Sequence, residues 1–124
     1  MANRNRDAAV SFLKMASRGD VREAYSKFLG VDFKHHNPYF EGSADTLMTA
    51  MEENARDNPN KTLDVKRAIE EGDLVAVHSH VRLKPDQPGG AVVHIFRFEE
   101  GRIVELWDVG QEVPEQSPNQ YGMF

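Results

Sequence analysis

Four runs of period-two alternation fill the second half of the chain, and the links between them are too short for anything but hairpins. The runs are 62–70, 73–84, 90–99 and 102–110. Glu71-Gly72, the segment from Pro85 to Gly89, and Glu99-Glu100-Gly101 join them. Parallel neighbours would need a crossover of about a dozen residues or more, which none of these links supplies. Residues 62–110 therefore read as a four-stranded antiparallel meander.

Alternation also assigns side chains to faces. In 73–84, Leu74, Ala76, His78 and His80 share one side, opposite Val75, Val77, Ser79, Val81 and Leu83. In 90–99, Val92, His94, Phe96 and Phe98 oppose Val93, Ile95 and Arg97. In 102–110, Val104, Leu106 and Asp108 oppose Ile103, Glu105, Trp107 and Val109. A sheet wet on one side alternates cleanly between apolar and polar, and this one carries apolar residues on both. Helices can cover one face; a second copy of the chain is the simplest cover for the other, so a homodimer through the sheet is expected.

The helices come from the first half. Ala9, Phe12, Leu13 and Ala16 make an apolar stripe over 5–17, and Gly19 is a helix stop. Asp20, with Glu23 three residues on, reads as the capped start of a second helix that buries Val21, Ala24, Tyr25 and Phe28 and ends at Gly30. Val31 to Asn37 is extended, running into Pro38. Ser43 caps a third helix over about 44–57 through Leu47, Met48, Met51 and Ala55, closed by Asn58-Pro59-Asn60. After Pro114 the tail is polar but ends in Tyr121-Gly122-Met123-Phe124, a composition that suggests docking. The fold class is α+β, and 1–124 is expected to be one domain.

Several function classes drop out. The 124 residues contain no cysteine, which removes disulfides, thiolate zinc sites and a cysteine nucleophile. A formal charge of −5 gives no electrostatic footprint for nucleic acid. No signal-peptide pattern and no membrane span is visible, so a cytoplasmic protein without membrane or nucleic-acid partners is expected. No P-loop and no G-x-S-x-G occurs.

What stands out is polarity inside apolar strands. His78, His80, His94 and Asp108 lie there, and His35, His36, Asn37 and Tyr39 form a second cluster before the third helix. A buried polar group without a partner costs about 1–3 kcal/mol, so these groups are hydrogen-bonded, line a wet cavity or bind something. Three readings remain open. Each histidine can be satisfied locally by backbone or carboxylate. Histidine and aspartate can together remove a proton beside a carbonyl and return it elsewhere. His78-x-His80 with His94 and a carboxylate can form a facial metal site, as in a lyase or oxygenase.

The segments His36-Asn37-Pro38, Asp73 to His80, Ala91 to Arg97 and Gly101 to Val109, in this order, resemble the SnoaL-like polyketide cyclases of the superfamily named after nuclear transport factor two. The ending from Asn119 to Phe124 resembles the predicted aldol-condensation branch. The resemblance runs over roughly residues 31–124. It implies a cone-shaped, cystatin-like curved sheet wrapped around N-terminal helices, a ligand at the open end, dimers through the outer sheet face, and ring closure without metal or organic cofactor. It puts Asp108 in the acid/base role, supported by His36, His94 and His78 or His80. His80, Asn37, Tyr39, Phe96 and Trp107 become candidate contacts for an apolar or carbonyl-bearing substrate. His94 stands where that branch often has an acidic residue, and Leu106 where it often has a histidine. The alternative from another class is a non-catalytic small-molecule binding protein of the same fold.

Overall fold

The computed structural model describes residues 4–124. Three helices, α1 (Arg4–Ser17), α2 (Val21–Phe28) and α3 (Ala44–Asp57), alternate with and precede five strands. The strands are β1 (Leu29–His35), β2 (Thr62–Glu71), β3 (Leu74–Arg82), β4 (Gly90–Glu99) and β5 (Arg102–Glu112). The expected meander is present as β2-β3-β4-β5. The order across the sheet is β1-β5-β4-β3-β2, so the extended segment before Pro38 adds a fifth strand at the edge. It lies parallel to β5, a pairing that hairpin logic does not reach because α3 and the whole meander intervene. Among the described residues, no helix is long and apolar enough to cross a membrane.

The side of the sheet that packs on the helices is set by β3. Val75, Val77 and Ser79 have no exposed surface, whereas Ala76, His78 and His80 retain some. Their cross-strand partners on β4 are Phe96, His94 and Val92. On β5, Leu106 and Asp108 follow by pairing with Phe96 and His94. α1 closes this inner face: Phe12 meets the edge of Phe96 at 6.0 Å between centroids and stacks on Tyr25 at 5.9 Å. Ala9, Leu13 and Met15 of α1, Phe33 of β1 and Leu47 of α3 complete the same core.

Register breaks bend the sheet around that core. Irregularities fall between Val65 and Arg67 on β2, between Leu29 and Lys34 on β1, and between Arg97 and Phe98 of β4 against β5. A bulge adds twist and bend to the strand that carries it. The third break also changes a face assignment. Phe98 pairs with Ile103 although Arg97 pairs with Glu105, so Ile103 joins Leu106 on the inner side, where simple alternation puts it outside.

Local signals vary in how they are used. Ser43 Oγ accepts from the Thr46 amide at 3.4 Å, a working helix cap, and Gly19 takes φ of +99° after α1. Asp20 occupies the N-cap of α2 without capping it. Its carboxylate is held by Arg18 Nε at 2.6 Å instead, so the expected capping box does not form.

Phe96→Ala removes the ring on which the Phe12 edge rests. We expect a loss of about 3–5 kcal/mol in urea unfolding, a large fraction of the stability of a domain this size.

Candidate active site

The inner and outer faces divide the ionisable residues. Asp108 lies opposite His94 in the β4–β5 ladder, on the inner side. Asn37 follows β1 and reaches the same carboxylate, donating from Nδ2 to Asp108 Oδ2 at 3.0 Å. The amide is oriented by its own turn: Asn37 Oδ1 accepts from the Tyr39 backbone N–H at 3.0 Å, which leaves Nδ2 to face the aspartate. One carboxylate oxygen of Asp108 is thus fixed.

His94 sits beside that pair. Its ring keeps some solvent contact at one edge, but Nδ1 is sealed from water and has no partner. Desolvation is the main reason its pKa is pushed down to about 4; Lys61 adds to the depression and Asp108 opposes it. At neutral pH the imidazole is therefore uncharged.

His35 is a third inner group, buried on β1 opposite Leu106. The Asn37 backbone N–H donates to its Nδ1 at 3.1 Å, so the ring hydrogen resides on Nε2. That N–H is buried without an acceptor, as are Ser79 Oγ and the Tyr25 hydroxyl. Four unpartnered polar atoms, counting His94 Nδ1, lie on the helix side of the sheet. Native interiors hold few such atoms, and each calls for a specific explanation.

The same face opens at one end into a hollow of about 790 Å³. Its walls include Val81, Val92, Gly110 and Glu112. Val92 and Gly110 pair with each other one step along the inner ladder from His94 and Asp108. A second depression, of about 960 Å³, lies between the start of β1 and the β4–β5 turn, and none of the candidate residues lines it. The first adjoins the inner ladder through Val92 and Gly110, and neither depression is lined by Asn37, His94 or Asp108.

The remaining candidates do not converge there. His78 and His80 point to the outer face, because Val75, Val77 and Ser79 take the dry side of β3. His78 Nδ1 is bonded to Arg67, and His80 Nε2–H donates to the Pro88 carbonyl at 2.6 Å. The Phe124 ring stacks on both imidazoles, at 5.5 and 4.5 Å between centroids, with Lys66 Nζ 5.4 Å from its centre. The aromatic ending does dock, and its seat is this pair of histidines.

His36 is also outside, one residue out of phase with His35 and Asn37. Its Nε2–H donates to Glu105 Oε2 at 2.6 Å, and its ring lies flat on Trp107, 4.9 Å between centroids and 5° from parallel. Arg97 Nε donates to the other Glu105 oxygen at 2.9 Å. The Glu105 carboxyl is held below its usual range, first by the His36 hydrogen bond, then by Arg97 and Lys34. Tyr39 is 86% exposed, and Phe96 is sealed in the core under Phe12. His36, His78, His80, Tyr39, Trp107 and Phe96 therefore do not join the inner-face polar group of Asp108, Asn37 and His94. Among the described residues, no group of three or more histidine or acidic side chains is placed to hold a metal ion. The facial arrangement fails because His94 lies across the sheet from His78 and His80.

Lys61 was not a candidate from sequence. It follows the Asn58-Pro59-Asn60 turn with the parity of Leu63 and Val65, the inner-facing residues of β2. Its Nζ donates to Asn54 Oδ1 of α3 at 2.7 Å. A lysine after a turn resembles any surface lysine, and only the tie of its amine to Asn54 at the end of α3 distinguishes it.

Comparison with known proteins agrees with this architecture. A family model described as a SnoaL-like domain matches residues 9–106. The chain belongs to the SnoaL-like domain family. Its match starts within α1, earlier than the segment that carries the sequence resemblance. No curated protein matches the chain. Among solved structures, the SnoaL-like chain is similar to AclR of Streptomyces galilaeus, whose name proposes a hydroxylase: 24% identity, TM-score 0.73, covering 90% of this chain and 91% of that one. It is similar to a protein of Acidithiobacillus ferrooxidans whose name proposes a polyketide cyclase, at 16% identity and TM-score 0.69, covering 90% of each. An NTF2-like protein of unknown function from Cytophaga hutchinsonii aligns at 19% identity and TM-score 0.69, over 86% and 89% of the two chains. At these identities the likeness is one of fold, and it shows the SnoaL-like chain to have the NTF2-like α+β architecture.

Because His94 is buried uncharged, its contribution to stability has a defined sign. Its folded pKa of about 4 lies below the unfolded value of roughly 6.5. The contribution is complete above the unfolded value and is lost as pH falls toward the folded one, amounting to at most about 3 kcal/mol. Urea midpoints measured from pH 7 to 4 should fall less steeply in His94→Gln than in the parent protein.

Proposed function

We propose that the protein is a small-molecule enzyme that performs metal-free acid/base chemistry on a carbonyl substrate, with Asp108 as the proton-transferring group. The observation that carries this is the Asn37–Asp108–His94 arrangement on the inner face. A carboxylate with one oxygen fixed by an amide keeps the other free for a substrate C–H. His94, held uncharged, places no second charge beside the carboxylate. The His35 Nε2–H is a buried donor without an acceptor, of the kind that stabilises a developing enolate oxygen. His36, which the sequence resemblance put in a supporting role, lies on the outer face against Glu105 and Trp107.

Removal of a proton next to a carbonyl is the first step of both an aldol ring closure and a double-bond isomerisation. The aldol-condensation branch is the finer assignment; the polyketide-cyclase names among the solved relatives favour it. An apolar, carbonyl-bearing ligand suits a hollow walled by Val81, Val92 and Pro88. The same reading takes the protein as a homodimer through the outer face of the sheet. Ile69, Leu74 and Val109 are 63%, 41% and 64% exposed there, an apolar set that a second sheet would cover.

The test uses a panel of cyclic ketones and aromatic β-keto compounds in deuterated buffer, with exchange of the proton beside the carbonyl read by proton NMR. The parent protein is expected to accelerate exchange for a subset of the panel. Asp108→Asn should lower that rate by about 10²–10⁴-fold, the usual weight of a general base. Equal rates in parent and variant would remove Asp108 from the chemistry. Saturable binding without exchange would instead assign the protein as a non-catalytic carrier.

A further inference from the structure

Lys61 is unlike every other lysine in this chain. Lys14, Lys27, Lys34, Lys66 and Lys84 are exposed; Lys61 is half-buried between α3 and the inner face of the sheet. Lys34 and Lys66 lie against carboxylates, whereas among the described residues no carboxylate forms an ion pair with Lys61. Its single side-chain hydrogen bond goes to a neutral amide oxygen, Asn54 Oδ1, at 2.7 Å. An ammonium has three N–H donors, so two are left without a protein acceptor.

The position of the amine is built. The Lys61 backbone N–H donates to Asn58 O at 3.0 Å, closing the turn. Asn58 Nδ2 in turn donates to Asn54 O at 2.9 Å, at the end of α3. Backbone and Nζ of Lys61 are therefore both tied to the last turn of one helix, and the side chain is aimed along the inner face. It is close enough to His94 for its charge to act on the imidazole. Four buried polar atoms on that same side of the sheet have no partner: Tyr25 Oη, His35 Nε2, Ser79 Oγ and His94 Nδ1. A half-buried cation without a counter-ion, on the same side of the sheet as four unpartnered polar atoms, is explained if that side receives a polar ligand.

We propose that Lys61 is a carbonyl-reactive amine on the inner face of the sheet, and that it captures the substrate carbonyl as an imine before Asp108 removes the neighbouring proton. The proposal rests on the acid/base reading of Asp108 and deepens it. In the step, the nitrogen lone pair forms a C–N bond to the carbonyl carbon. The carbonyl oxygen leaves as water, carrying both protons of the neutral amine, and the imine nitrogen then takes up one proton from solvent, so no oxidant or reductant enters. A protonated imine withdraws electrons more strongly than the parent ketone, and the adjacent C–H becomes easier to deprotonate. Burial acts in the needed direction, since desolvation lowers the Lys61 pKa and favours the uncharged, nucleophilic amine. The purely structural alternative, that Nζ only staples the turn to Asn54, requires no such reactivity.

The probe is acetylacetone. Its imine rearranges to a conjugated enaminone that absorbs in the near ultraviolet and adds the mass of the diketone less one water. With the full chain, peptide mass spectrometry should find Lys61 labelled at least about tenfold faster than Lys14, Lys27, Lys34, Lys66 or Lys84, each an internal control for ordinary amine reactivity. Lys61→Arg keeps a donor for Asn54 but has no amine, and should lose the fast phase of the ultraviolet band while keeping the thermal midpoint of the parent. Labelling that begins at the exposed lysines, or a fast phase that survives Lys61→Arg, would overturn the proposal. The readout does not depend on turnover. Label at Lys61 with exchange insensitive to Asp108→Asn removes the base and keeps the amine. Exchange that needs Asp108 without label at Lys61 removes the amine alone.

Discussion

The edge of the Phe12 ring pressed on Phe96 determines which side of β4 is dry, and the polar layout of the molecule follows from it. With Phe96 inside, its strand-mate two residues earlier, His94, must also face inward. His94 then selects Asp108 across the ladder, and Phe96 selects Leu106. Had β4 turned its other face to α1, Val93 and Ile95 would fill the core, and the histidine would be an ordinary solvated side chain. A buried imidazole next to a carboxylate is thus a by-product of where the largest ring had to go.

The exit of β1 is held to β5 from both sides by two consecutive residues. His36 binds Glu105 on the outer face, where Arg97 takes the second oxygen. Asn37 binds Asp108 on the inner face. The outer clamp is ionic and stacked on Trp107; the inner one is neutral on the asparagine side. This difference fits their surroundings. The outer pair keeps part of its hydration and can carry charge on both partners. The inner carboxylate gains a hydrogen bond without a neighbouring cation that would bind it outright. One acid is consumed by structure, and the other retains a free oxygen.

Much of this was legible in the sequence because alternation and glycine links are local signals. The four hairpin strands, the three helices and the Ser43 cap follow from residues within a few positions of each other. Asp108, His94 and Asn37 were also recognisable, as polar residues in apolar runs. What was hidden depends on long-range packing. Which side of β3 is buried cannot be read from a strand whose two faces are both apolar, so His78 and His80 seemed equivalent to His94. The pair His35 and His36 has no local feature to tell its members apart; parallel pairing with β5 decides it. Lys61 becomes distinctive only once its amine meets Asn54 of α3.

The register break near Arg97 bears on how this family member could change in length. Upstream of Glu105, β5 already has one residue more than its partner strand can match, and the Arg97–Glu105 ion pair of 2.9 Å restores the count immediately afterwards. A deletion or insertion among residues 101–104 can be taken up in that slack while the remainder of the strand stays in phase. The stretch from Leu106 to Asp108 has no such reserve. There, one residue gained or lost would rotate the carboxylate through the sheet, from the hollow to the Trp107 side, and exchange a reactive group for a decorative one. Tolerance to indels along β5 should therefore stop sharply at Glu105.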